Sequence, residues 1–257
     1  MMQQLRVVES NARVYKRTWR GSAVTAFLNP ILFLLAMGLG LGSIIDSNPA
    51  VDGLGGVRYV SFIASGLLAA TAMQTGGVEG SWPVLAGIKW TKTYHAALAT
   101  PIRVTDLVTG NLLWLAVRVT LSAAAFAIVS AALGVLEPLD VLAALPAAIL
   151  TGMAFAAPVT AYTPVAKDET RLSGVFRFVI LPMFLFSGTF FPIEQLPGLL
   201  QPVAYVTPLW HGVELCRWSA LGFDTTLNPL VHFGYLALWT SIGWWFAQRN
   251  LRKRLQP

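Results

Sequence analysis

Four stretches of the chain, residues 22–45, 59–78, 141–166 and 229–248, hold no Asp, Glu, Lys or Arg; two more, 107–136 and 172–193, hold only Arg118 and Arg177 respectively. A helix needs about 20 apolar residues to cross roughly 30 Å of hydrocarbon. Within lipid every backbone polar group must be paired inside the segment, which leaves helices as the spanning element for runs of this kind. The pattern therefore predicts an all-α, polytopic membrane protein with six transmembrane helices in a single domain covering residues 1–257. The third and fourth runs are separated only by residues 137–140, which predicts a tight turn between antiparallel neighbours. Ahead of the first run, Leu5, Val8, Ala12, Tyr15 and Trp19 recur at helical spacing among Arg6, Arg13, Lys16, Arg17 and Arg20. That describes an amphipathic helix over residues 1–20 lying along the membrane surface.

Two polar-rich stretches are too long to be simple connectors. Residues 80–106 carry Trp82-Pro83, Lys89-Trp90, Thr93-Tyr94-His95 and Ala99-Thr100-Pro101. Aromatic side chains beside lysines suit an interface or a docked partner, and proline is well tolerated early in a helix. Residues 191–224 are nearly free of charge but punctuated by Pro192, Pro197, Pro202 and Pro208. Prolines at that density break a helix into pieces too short to span. The expectation is a set of short re-entrant helices on the outer side, between spans five and six.

Charge fixes the orientation. Lys and Arg near the ends of spans are retained on the cytoplasmic side. With the N-terminus inside, the cytoplasmic segments hold the five basic residues of the first helix, then Lys89, Lys92 and Arg103, then Lys167 and Arg171, then Arg249, Arg252, Lys253 and Arg254. The outer segments hold only Arg58 and Arg217. An odd number of spans would put one of the two most basic ends outside, so both termini are expected in the cytoplasm.

Composition agrees with a lipid-embedded chain: 55% of residues are hydrophobic and 12% charged, about half the roughly 25% charge of soluble domains. The net charge of +6 is spread along the ends of apolar runs rather than gathered on one face, which removes a nucleic-acid partner. The single cysteine, Cys216, rules out an internal disulfide. His95, His211 and His232 are scattered in sequence, and no metal site is expected from them. No GxxxxGK[ST] phosphate loop occurs, so the chain has no usual cradle for ATP.

The chain resembles the membrane subunit of type-2 ABC exporters, the ABC-2 permease family, and within it the nodulation lipo-oligosaccharide and daunorubicin-type branch. The likeness runs over essentially the whole chain. It is carried by the phrase Ala97-Leu98-Ala99-Thr100-Pro101-Ile102, by Phe186-Ser187-Gly188-Thr189-Phe190-Phe191-Pro192 with Leu196-Pro197, and by Pro208-Leu209-Trp210-His211 with Arg217. Phe186 and Thr189 stand where the family prefers smaller residues. The resemblance implies a half-transporter of a bacterial plasma membrane, not an enzyme by itself. Two permease copies, identical or homologous, would pair with two separate ATPase subunits. ATP and Mg would be held by those subunits and no cofactor by this chain, and an amphipathic substrate (a glycolipid, lipid-linked glycan or drug-like compound) would leave the cytoplasm. Closure of the ATPases would reach the spans through the element between spans two and three, with Lys89, Trp90, Lys92, Tyr94, His95, Pro101 and Arg103 as the coupling residues.

Arginine inside a bilayer costs about 2.5–3.5 kcal/mol on insertion scales. Arg177, near the inner end of its span, can snorkel to the headgroups. Arg118, about eleven residues or roughly 16 Å into its run, needs either a substrate anion or a polar partner on a neighbouring helix. With Arg118, the aromatic residues Phe184, Phe186, Phe190, Phe191, Tyr205 and Trp210 are the candidates for a substrate path. Gly38, Gly40, Gly42, Gly76 and Gly77 permit close helix approach, within one subunit or at a dimer seam. Two rival readings remain open at this point. One is an ATP-independent secondary transporter or channel, which would be expected to carry deep intramembrane carboxylates. The other is an intramembrane serine hydrolase built on Ser65 or Ser187 with His232.

Overall fold

The computed structural model describes residues 2–47, 54, 56–166 and 168–256. Lys167, counted above among the inner basic residues, lies outside the described residues, as do Met1 and Pro257. Among the described residues the chain is all-helical and has no strand. The long elements are α1 (Met2–Asp46), α2 (Tyr59–Lys89), α4 (Val104–Ala132), α5 (Pro138–Tyr162), α6 (residues 169–186) and α9 (Pro229–Leu255). Shorter helices stand between them: α3 (Thr93–Leu98), α7 (Gln201–Val206) and α8 (Pro208–Leu221). By length and apolarity, α1, α4 and α5 qualify as membrane spans.

The helix ends depart from the ends of the apolar runs for identifiable reasons. Nothing in the sequence breaks the helix at Gly21, so the amphipathic stretch and the first run form one rod, with a π-helical stretch at Ala36–Gly42. The first half of α1 packs along α4 instead of standing apart from the bundle. Val7 is buried against Gly110, and Tyr15 meets Trp114 edge to face at 5.7 Å. Of the expected stripe, Val8, Ala12 and Tyr15 are half-buried while Leu5 and Trp19 remain exposed.

Helix α2 runs past Val78 to Lys89, because Pro83 is absorbed into it and Glu79 turns inward. The turn between α4 and α5 begins earlier than the polar residues suggest. Gly134 takes a left-handed conformation (φ +64°) and ends α4, and Pro138 at the first turn of α5 restarts the helix, a position where its missing N–H costs nothing. Asp168 caps α6 by accepting from the Arg171 amide at 3.0 Å. Helix α6 stops at Phe186, short of the expected residue 193, because the chain turns through Gly188 at φ +81°.

The core forms around α2 and α5. Residues 60–70 of α2 are buried on every side, the signature of a central helix. Small residues make this possible: Gly76 of α2 lies so close to the Gly152 carbonyl of α5 that a Cβ has no room. The glycine pair anticipated in the second run thus serves a contact inside the subunit. Helix α8 packs against both α2 and α5, burying Leu209, Val213, Leu215 and Cys216 completely. Helix α9 also lies against α5 and meets α8, with Ala247 and Leu251 buried.

Candidate functional site

The coupling residues cluster on the elbow made by the end of α2, the short α3 and the start of α4. Lys92 adopts a left-handed conformation (φ +52°) that turns the chain between α2 and α3. Trp90, Lys92, His95, Pro101 and Arg103 are exposed on this elbow. Lys89 faces Glu169 at the start of α6 across 3.7 Å. Tyr94 behaves differently from its neighbour: its ring lies against Gly87 and packs with Leu98 on Val84, Ile88, Val104 and Val108. Burial pushes the Tyr94 phenol well above its ordinary pKa. Tyr94 therefore anchors the elbow, and His95 is the residue free to meet a partner.

The substrate-path candidates do not line one route. Phe184 and Phe190 meet edge to face at 5.1 Å, with Phe33 of α1 6.2 Å from Phe190. Phe191, Tyr205 and Trp210 belong to a second cluster with Ile193, Leu196 and Ala204. Phe186 is exposed on α6. Arg118 belongs to neither group.

Arg118 lies in a groove of about 940 Å³ between α1, α2 and α4. Its Nε donates to Glu79 Oε1 at 2.8 Å, and Nη2 lies 2.8 Å from the same oxygen. Nη2 also donates to Ser22 Oγ at 3.1 Å, and the guanidinium sits 4.2 Å from the centre of the Tyr15 ring. The arginine thus ties three helices together. Its partner was hidden in the sequence because Glu79 is the first charged residue beyond an apolar run and stands 39 positions away.

Two further groupings went unseen in the sequence. His211 and His232, far apart in the chain, bring their Nδ1 atoms to 2.8 Å where α8 meets α9, with Tyr235 stacked on His211 at 3.9 Å. Arg217, counted above as an outer-segment charge, is buried. It donates to the carbonyls of Gly188 (2.5 Å) and Thr189 (3.4 Å) and lies 3.7 Å over the Phe62 ring. The serines of the hydrolase reading have other partners: Ser65 donates to the Phe62 carbonyl and Ser187 shares a 2.8 Å bond with Thr207. Neither bond involves a histidine. Among the described residues no group of three or more His, Cys, Asp or Glu is placed to hold a metal.

Residues 3–221 match the protein family described as ABC-2 type transporter. The chain is similar to Nodulation protein J of Rhizobium meliloti, with 32% identity over 251 residues that cover 96% of this chain and 92% of that one. It is also 32% identical to Nodulation protein J of Rhizobium leguminosarum bv. trifolii, over 92% of this chain and 89% of the relative. Against Nodulation protein J of Azorhizobium caulinodans the identity is 25%, over 88% and 87% respectively.

Proposed function

The chain belongs to the ABC-2 type transporter family and is a membrane transport subunit, not an enzyme; from that premise we propose that it is the permease of an ATP-driven exporter that moves an amphipathic substrate out of a bacterial cytoplasm. In this reading it crosses the inner membrane six times, with both basic termini inside and the segment between α6 and α9 re-entering from the outer face. Helix α8, 14 residues long, rises about 21 Å, too short to span roughly 30 Å of hydrocarbon. Its burial between α2 and α5 satisfies the rule that such a segment be covered by protein. Two ATPase subunits dock on the elbow, hydrolyse ATP with Mg, and serve two permease copies.

The observation that carries this reading is the family match over residues 3–221, together with an exposed elbow at the end of a helix that runs unbroken into the core. Force on Trp90, Lys92 or His95 reaches α2 directly, because Tyr94 fixes α3 to it. Glu79 and the buried segment 60–70 lie on the same rod. The test is co-purification and reconstitution. An ATPase should co-purify with the tagged permease, and replacing His95 and Trp90 by alanine should uncouple ATP hydrolysis from export while leaving thermal stability within about 0.5 kcal/mol, as for surface changes generally. Substrate flux through the permease alone in liposomes without ATP would overturn the reading in favour of a secondary transporter or channel.

A further inference from the structure

Helix α1 packs on α4 through Val7, Tyr15 and Ser22 and meets α2 farther along. At one end Val7 is buried on Gly110 of α4; at the other Leu34 is 2% exposed and Gly38 faces Val60 of α2. The groove of about 940 Å³ opens alongside these contacts, between α1, α2 and α4. From Arg118 to Ile128 its α4 wall extends ten residues, about 15 Å at 1.5 Å rise per residue.

The walls have two characters. Tyr15, Trp19 and Trp114 surround the Arg118–Glu79 end, the combination of amphipathic rings and charge found where a bilayer meets water. Toward the other end the wall is apolar, with Phe27, Leu121 and Ile128 all exposed. Set into that apolar length are Asn29 and Gln74, both exposed, and the hydrogen-bonded pair Thr75–Ser122 at 2.9 Å. Uncharged amide and hydroxyl groups at such positions are costly against lipid chains and instead mark cavities that hold water or a polar ligand. The charge of Arg118 is already matched by Glu79, each side chain being 16% exposed. An anion would have to displace a buried carboxylate to reach it.

We propose that the groove between α1, α2 and α4 is the seat of the exported amphipath, holding a net-neutral, hydrogen-bonding head beside the Arg118–Glu79 pair and an alkyl tail along Phe27, Leu121 and Ile128. The ion pair presents donors and an acceptor together and is itself matched in charge; Lys16, the other charged residue of the lining, is exposed on α1, and Lys16→Gln should leave the head preference unchanged if the pair sets it. The proposal rests on the exporter reading for the word exported, but binding in the groove can be measured without it.

The probes are an alkyl maltoside and an alkyl phosphate with the same twelve-carbon, diazirine-bearing tail, added to the full chain in nanodiscs of phosphatidylethanolamine and phosphatidylglycerol. The maltoside should label residues 23–30 and 117–128 saturably, and the phosphate at least tenfold more weakly. Ala26→Trp and Ser122→Leu, placed on different walls, should each reduce saturable labelling at least tenfold, whereas Leu28→Trp, outside the groove, should leave it unchanged. Glu79→Gln should narrow or reverse the preference between the two heads. Labelling that does not saturate and falls equally on Phe178 would show ordinary lipid contact and overturn the proposal. Cross-links joining two copies through the groove would overturn it by making the groove a dimer seam, and equal labelling by the two heads in the unaltered chain would overturn the charge assignment. With the ATPase present, export that continues in both groove-filling variants removes the groove from the route and spares the exporter reading. Saturable labelling without any ATP-driven export does the reverse.

Discussion

The chain buries two arginines by opposite means. Arg118 is neutralised by a carboxylate from another helix and keeps its outer edge on a groove. Arg217 has no carboxylate within ion-pair distance among the described residues; two backbone carbonyls and the face of Phe62 receive it instead. Those carbonyls are available because α6 ends at Phe186 and the chain turns through Gly188. The C-terminal end of a helix carries partial negative charge and unpaired carbonyls, which favour a cation there. Arg118 is thus one half of a side-chain pair that can be exchanged or opened. Arg217 is the pin of a backbone turn and holds the start of the proline-rich segment against α2.

The contrast can be broken most forcefully at Arg118. Arg118→Met strands Glu79 in a largely buried place and should cost about 3–5 kcal/mol, as for other broken buried pairs. The double variant Arg118→Met with Glu79→Leu should recover most of that loss, read as the midpoint of thermal unfolding in nanodiscs; a double variant as unstable as the single would remove the pair logic. At Arg217 no second substitution should rescue. Arg217→Met leaves buried carbonyls without a donor, at about 1–3 kcal/mol, and should expose the 187–192 turn to protease; Arg217→Lys should be intermediate because it lacks the planar fork. Ser187→Ala, in the same turn, removes one neutral bond to Thr207 and should cost about 1 kcal/mol. The smallest effect belongs to a half-buried lysine: Lys89→Ala loosens a 3.7 Å contact with Glu169 and should change the melting midpoint by less than the equivalent of about 1 kcal/mol. A larger loss there would mean that the elbow is held by charge and not by the packing of Tyr94.

Much of the fold was legible because membrane solubility is written locally. Each apolar run coincides with one of the long helices among the described residues, and proline spacing found that residues 191–224 make short elements. Boundaries were less legible where tertiary contacts override composition. Residues 80–89 read as the start of a polar connector, yet they continue α2 because Gly80 packs on α5 and Thr163 donates to the Gly80 carbonyl at 3.0 Å. Tyr94 and His95 are neighbours in sequence and read alike; only packing separates the anchor from the exposed residue. The phenylalanines of the fifth run suggested one aromatic lining, yet Phe184 and Phe190 pack against the main core, Phe191 joins the cluster around Ile193 and Leu196, and Phe186 is exposed.

The sequence by itself determined that this chain is built of apolar helices suited to lipid and that it holds no GxxxxGK[ST] phosphate loop. Those properties follow from the charge and hydropathy of contiguous residues, which need no knowledge of distant contacts. Only the tertiary structure decided which polar groups are matched: Arg118 with Glu79, His211 with His232, Arg217 with the Gly188 turn. Each match joins side chains from separate helices, and the free energy of a buried charge depends on what lies within a few ångströms of it, whatever the distance along the chain.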